Sequence, residues 1–133
     1  LKNWILDQTM AYEIEYAWRR NPRLMKLTGW DEVPESEMTY ALEAVAALMD
    51  QSTMPMHIVI EFHESMNAPE NVLDIFLESR LIHHEQCGFC MFLNPNKFMR
   101  FMAQVLSQRG KAHIEFRPDD EGAWEFFSEM GFC

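Results

Sequence analysis

Met56-His57-Ile58-Val59-Ile60-Glu61-Phe62 is the run whose reading organises the chain. Pro55 closes the segment before it, Ile and Val fill its middle, and the only charge is Glu61 near its far end. An apolar run of this length, rich in β-branched residues, reads as a buried strand. Part of it recurs as Ile114-Glu115-Phe116 within Lys111 to Arg117, where Ala112, Ile114 and Phe116 alternate onto one face. Cys87-Gly88-Phe89-Cys90-Met91-Phe92-Leu93 is a third run of strand length.

Helical patterns separate these runs. Met38, Leu42, Val45 and Met49 recur at four, three and four over Ser36 to Met49, after an acidic segment with Pro34 where a helix can start. Ala41, Ala44, Ala46 and Ala47 favour that helix and leave room for close approach. A second helix is predicted from an Asn67 cap to about His84, carrying Val72, Leu73, Phe76, Leu77 and Leu81. A third starts at Asn94-Pro95, carries Phe98, Phe101, Met102, Val105 and Leu106, and stops at Gly110. Pro118-Asp119-Asp120 turns the chain into a last helix, Glu121 to Met130.

Towards the N-terminus, Leu6, Met10, Ile14 and Ala17 fall four, four and three apart, which predicts a helix from an Asn3 cap to about Arg20. Tyr12, Tyr16 and Ile5 give it a second apolar side, on which a second copy would dock as a homodimer. Asn21-Pro22 ends it, and Arg23 to Leu27 reads as a further helical turn closed at Gly29. The expected fold is therefore α/β in a single domain. N-terminal helices (1–30) precede a core (31–133) of three alternating strand-helix units, which form a small, mostly parallel sheet. Ile-Glu-Phe at 60–62 and 114–116, with Gly-Phe-Cys at 88–90 and 131–133, suggests a degenerate duplication of 36–93 in 95–133.

The 133 residues suffice for a core without staples. Ten Phe, four Trp and eleven Met supply a packed interior with adaptable edges. The chain opens without a basic, apolar, small-residue leader pattern, and its longest uncharged run, Gln86 to Asn96, is too short to span a membrane. With three Cys, the expectation is a cytoplasmic protein with free thiols. The net charge is −10, and no Lys or Arg lies between Lys26 and Arg80. Carboxylates fill that interval, among them Asp31, Glu32, Glu35, Glu37, Glu43 and Asp50. A field of one sign repels phosphates and anionic lipid and attracts a basic partner.

His83-His84-Glu85-Gln86-Cys87-Gly88-Phe89-Cys90 is the one dense set of ligand-type residues, and His83, His84, Cys87 and Cys90 are its candidate metal ligands. Cys-Gly-Phe-Cys also resembles a thioredoxin-type active site, which implies a redox dithiol at a helix N-terminus. The residues themselves read as a strand, in which Cys87 and Cys90 would face opposite sides and serve as small hydrophobes. Candidate acid-base groups stand where strands end: His63 and Glu64 after the first, Asp119 and Asp120 after the third. Trp18-Arg19-Arg20-Asn21-Pro22-Arg23-Leu24-Met25-Lys26 is the only basic knot, a poor footprint for nucleic acid on so acidic a chain. Arg19 and Arg20 would more simply complement the dipole at the end of the N-terminal helix, and an intramolecular contact with the acidic interval, or a salt-dependent contact with a partner, is expected of the knot rather than nucleic acid.

The function expected is protein-protein binding, in an inhibitor, immunity-like or adaptor role toward a basic or nucleic-acid-binding target, through the six carboxylates from Asp31 to Asp50 or through the N-terminal helices. No cofactor is expected. The alternative is an enzyme or metal or redox protein using the His, Glu and Cys residues named.

Overall fold

The computed structural model describes residues 4–8, as backbone, together with 12–29, 33–63 and 69–132. Met56–Phe62 is a strand with the predicted bounds, inside a six-stranded sheet. The strands are β1 (Trp4–Gln8), β2 (Tyr12–Tyr16), β3 (Leu24–Gly29), β4 (Met56–Phe62), β5 (Cys87–Leu93) and β6 (His113–Arg117), and they lie side by side in that order. β1, β2 and β3 pair antiparallel, and β3 to β6 pair parallel. The helices are α1 (Glu35–Asp50), α2 (Val72–Glu78), α3 (Arg80–His83), α4 (Lys97–Arg109) and α5 (Asp120–Glu129). The α/β architecture with its mostly parallel sheet stands. What was expected as one helix to His84 is broken at Ser79, whose backbone is extended.

The expectation of N-terminal helices is overturned: this part of the chain forms strands. Spacings of four fit both a helix and a strand, because four is close to one helical turn and is also two strand repeats. The sequence Tyr12-Glu13-Ile14-Glu15-Tyr16 has a strict period of two, and that period wins. Tyr12 and Ile14 are buried, Tyr16 packs against the same core, and the two Glu are half-buried. β2 pairs with β3 from Tyr12↔Gly29 to Tyr16↔Met25, so Arg23 to Leu27 is mostly strand too. The expected homodimer through an N-terminal helix loses its surface with that helix.

The hairpin between β2 and β3 carries Ala17, Arg19 and Arg20 at positive φ, a conformation that costs energy for residues other than Gly. Trp18 between them is buried and meets Trp124 of α5 edge-on at 6.0 Å, with the Arg19 guanidinium over both rings. That anchoring holds the strained turn in place.

β3 to β6 step across the sheet in one direction. Right-handed crossovers then place every connecting helix on one face, and α1 to α4 do contribute to a single core with Ile58, Ile60, Phe92 and Leu27. The other face is closed by α5 and the hairpin, around Leu24, Val59, Met91, Leu93, Ala123 and Phe127. Lys26 of β3, nearly buried on this second face, bonds Asp120 at 2.6 Å and Glu61 at 2.9 Å. Burial works to lower its pKa, and the two carboxylates outweigh that and raise it. The basic knot is thus used within the molecule, partly on Glu61 of the acidic interval and partly on Asp120 and Glu121 of α5.

β4 and β5 are out of step at one place. Met56 pairs with Cys87 and Ile58 with Cys90, so Gly88 and Phe89 stand opposite His57 alone. This is a β-bulge. The Phe89 N–H donates to His57 Nδ1 at 2.9 Å, and the imidazole stacks on Phe132 at 4.2 Å between centroids, beside Phe127 and Phe89. The ring lies so close over Gly88 that a Cβ there would stand 2.5 Å from it. Because Nδ1 accepts, Nε2 carries the proton, and it finds no hydrogen-bond partner among the described residues. Burial, helped by the charge of Arg23, lowers the His57 pKa to about 4.

Gly88→Ala is expected to cost about 1–3 kcal/mol, the usual range for overpacking, and the cost should shrink in a His57→Ala background; urea unfolding of the four proteins measures both. His57 also sets a pH dependence. Its folded pKa is below the unfolded value near 6.5, so its contribution is full above pH 6.5 and is lost as pH falls towards 4. The loss is on the order of 3 kcal/mol, and His57→Gln, which keeps an acceptor for Phe89, should unfold without that component.

Candidate functional site

α1 lays its apolar stripe on the sheet and turns Glu35, Thr39 and Glu43 towards α2 and α3, along a groove of about 200 Å³ that Asn71, Glu78 and Arg80 also line, while Asp50 at the end of α1 reaches Arg80. Arg80 stands at the break between α2 and α3, where the extended Ser79 redirects the chain. Its guanidinium bonds Glu43 at 2.5 Å and Asp50 at 3.0 Å. His84 Nε2 lies 2.7 Å from the other Asp50 oxygen, and Asn71 donates to Glu35 at 2.9 Å. Arg80, and then His84, hold the Asp50 carboxyl down to about 2, and Arg80 lowers Glu43 as well. The Arg80 pKa rises in return. Arg80, Glu43 and Asp50 are each about half exposed, so these ion pairs organise charge at the surface and add little stability.

Four of the six carboxylates expected to meet a partner are therefore on α1; Glu35 and Glu43 line one groove, and Asp50 shares Arg80 with Glu43. Glu37, half-buried, lies on another side of the helix; Asp31 and Glu32 fall outside the described residues. Composition gathered the acids in one interval, with Glu37 and Glu43 on the predicted helix, but Arg80 as the common counter-ion of Glu43 and Asp50 is a tertiary fact, since 37 and 30 residues separate it from them.

No protein-family model matches the chain, and no curated protein sequence matches it. Solved structures do. SiaC of Pseudomonas aeruginosa superposes with a TM-score of 0.57 at 8% identity, over 90% of this chain and 100% of that one. The crystal structure of apo-SiaC from Pseudomonas aeruginosa gives 0.51 at 9%, over 88% and 99%. The likeness is one of fold.

The remaining candidates are spread through that fold. His63 is exposed just past β4, with its amide bonded to the Gly29 carbonyl at 3.0 Å, and Glu64 lies outside the described residues. Asp119 accepts from the Gly122 N–H at 2.9 Å and caps α5, while Asp120 holds Lys26. β3 to β6 keep one direction of travel, so no pair of crossovers diverges to open the crevice in which α/β sheets usually bind ligands. A cleft of about 570 Å³ lies instead at the amino ends of β3 and β4, between Arg23, Leu48 and Met54.

His83 Nε2 bonds the Leu77 carbonyl at 2.8 Å, and His84 belongs to the Arg80 cluster. Cys87 and Cys90 lie in β5, and the expectation that they face opposite sides is overturned. The bulge inserts one residue between them, so three positions amount to one full strand repeat and both thiols enter the core under α1 to α4. Burial pushes Cys87 up to about 12, and burial raises Cys90 well above its ordinary value, with Cys87 adding to the effect. The dithiol resemblance therefore stops at the spelling, since reactive thiols need a lowered pKa and access. Cys87 and Cys90 are expected to resist a thiol reagent in the native protein and to react on unfolding; thiol titration with and without urea, with Cys133 replaced by Ser, reads this directly.

Proposed function

We propose that this protein works by binding another protein, which presents a basic side chain to the carboxylate groove between α1 and α2–α3. The observation that supports this reading is Arg80 itself. One guanidinium, paired with Glu43 and Asp50, shares the groove with Glu35 and Glu78 as well, so the groove keeps an excess of negative charge after its internal ion pairs are made. The groove suits an Arg or Lys side chain, whose planar or compact cation carboxylates recognise through charge-assisted hydrogen bonds. Tyr40, 59% exposed on the crest of the same helix, supplies an aromatic contact beside the charge. An inhibitor or adaptor of a basic target uses this surface without catalysis, and the field of the chain steers such a target towards it. Among the described residues no helix is long and apolar enough to cross a membrane.

The test is affinity isolation with the folded protein as bait, followed by titration of the isolated partner. Glu35→Lys with Glu43→Lys is expected to weaken capture of that partner at least tenfold and to remove its salt dependence. A partner held equally by the reversed variant, or one with an acidic contact surface, would count against the groove.

A further inference from the structure

α4 is unlike the rest of the molecule's surface. No Asp or Glu occurs from Gln86 to Ile114, whereas Lys97, Arg100, Arg109 and Lys111 do, so an acidic chain carries one cationic flank. Phe98 and Phe101 on this helix are 48% and 54% exposed, and Val105 continues them at helical spacing. Two exposed Phe on one helix are a surface feature that demands a cover. Arg100 lies over Phe116 of the edge strand at 5.0 Å, which leaves the crest of Phe101 open beside its charge.

The opposite flank of the same helical layer has the complementary character. The crest of α1 carries Tyr40 and exposed Ala47, with Ala44 half-buried beside them. This shallow strip is bordered by Glu37 and Glu43, and no cation occurs on α1. An aromatic ridge rimmed by cations on one helix thus faces a small-residue strip rimmed by carboxylates on another. α2 and α3 stand between α1 and α4 in one molecule, so the two can meet only between molecules.

We propose that a second copy of this chain covers the α4 ridge, docking the crest of its own α1 there. Phe98 and Phe101 enter beside Tyr40 over Ala44 and Ala47, while Lys97 and Arg100 meet Glu37 and Glu43. The net charge of −10 on each copy opposes approach, but at physiological salt it is screened beyond about 8 Å, and the local pairing decides at contact. The contact is head-to-tail, so it builds chains or rings. A helix of 13 residues is about 20 Å long, which gives less area than the roughly 800 Å² per partner of a stable interface. The association is therefore weak and reversible.

Sedimentation velocity of the full chain from 10 µM to 1 mM, in about 0.15 M salt, tests this. The weight-average mass is expected to rise with concentration, and Phe101→Glu or Tyr40→Glu to weaken the rise at least tenfold. Lys97→Glu with Arg100→Glu, and separately Glu37→Lys with Glu43→Lys, should each abolish it, and an equimolar mixture of these two reversed proteins should restore it. Urea unfolding of each variant verifies that it is folded. A monomer at 1 mM, a rise unchanged by Phe101→Glu, or a mixture that stays monomeric would overturn the proposal. Partner capture through the groove is scored separately with Phe101→Glu, which leaves the groove intact.

Discussion

The hydrogen bond from the Phe89 amide to His57 Nδ1 holds the point on which both cores depend. β4 and β5 are the inner strands of the parallel part and are covered on both faces, so each must deliver side chains to two interiors in the right phase. The extra residue at Gly88–Phe89 shifts the phase of β5 once. Cys87, Cys90 and Phe92 then point to the helical layer, and Phe89, Met91 and Leu93 point to α5. A bulge leaves an amide out of the ladder, and the imidazole supplies the acceptor that the ladder cannot. The arrangement requires a neutral His57, which explains the burial of the ring under Phe89, Phe127 and Phe132. It also explains why Gly, and no larger residue, fits at 88.

From the sequential strand order follows the distribution of charge. Because the crossover helices share one face, α1 and α4 become the two flanks of a single layer, with the break at Ser79 between them. The acids of α1 meet Arg80 across the first gap, and the cations of α4 lie beyond the second. On the other face the basic hairpin is consumed by Glu61, Asp120 and Glu121, which fastens the antiparallel part of the sheet to α5. An acidic groove and a cationic aromatic ridge are thus set apart by topology, and a surface so divided suits recognition of other chains.

The sequence by itself determined three of the four parallel strands, β4 to β6, and the helical segments between them. Runs such as Met56–Phe62 are too short and too β-branched for helices, and over 36–49 the apolar spacing agrees with an Ala-rich composition, so that pattern and propensity both point to a helix. Elsewhere a local pattern had two solutions. Leu6, Met10 and Ile14 fit both periods, and pairing of Tyr12–Tyr16 with Leu24–Gly29 settled the matter, since a strand draws its stability from a partner that no single window contains. The same limit hid the bulge, because residue spacing alone assigns Cys87 and Cys90 to opposite faces, and only the register against Met56 and Ile58 reveals the inserted residue. The acidic interval that supplies α1 was legible from composition. Its groove was not: Arg80 reaches Glu43 and Asp50 only after two helices have packed, and electrostatic contact depends on distance in space, which tertiary structure alone decided.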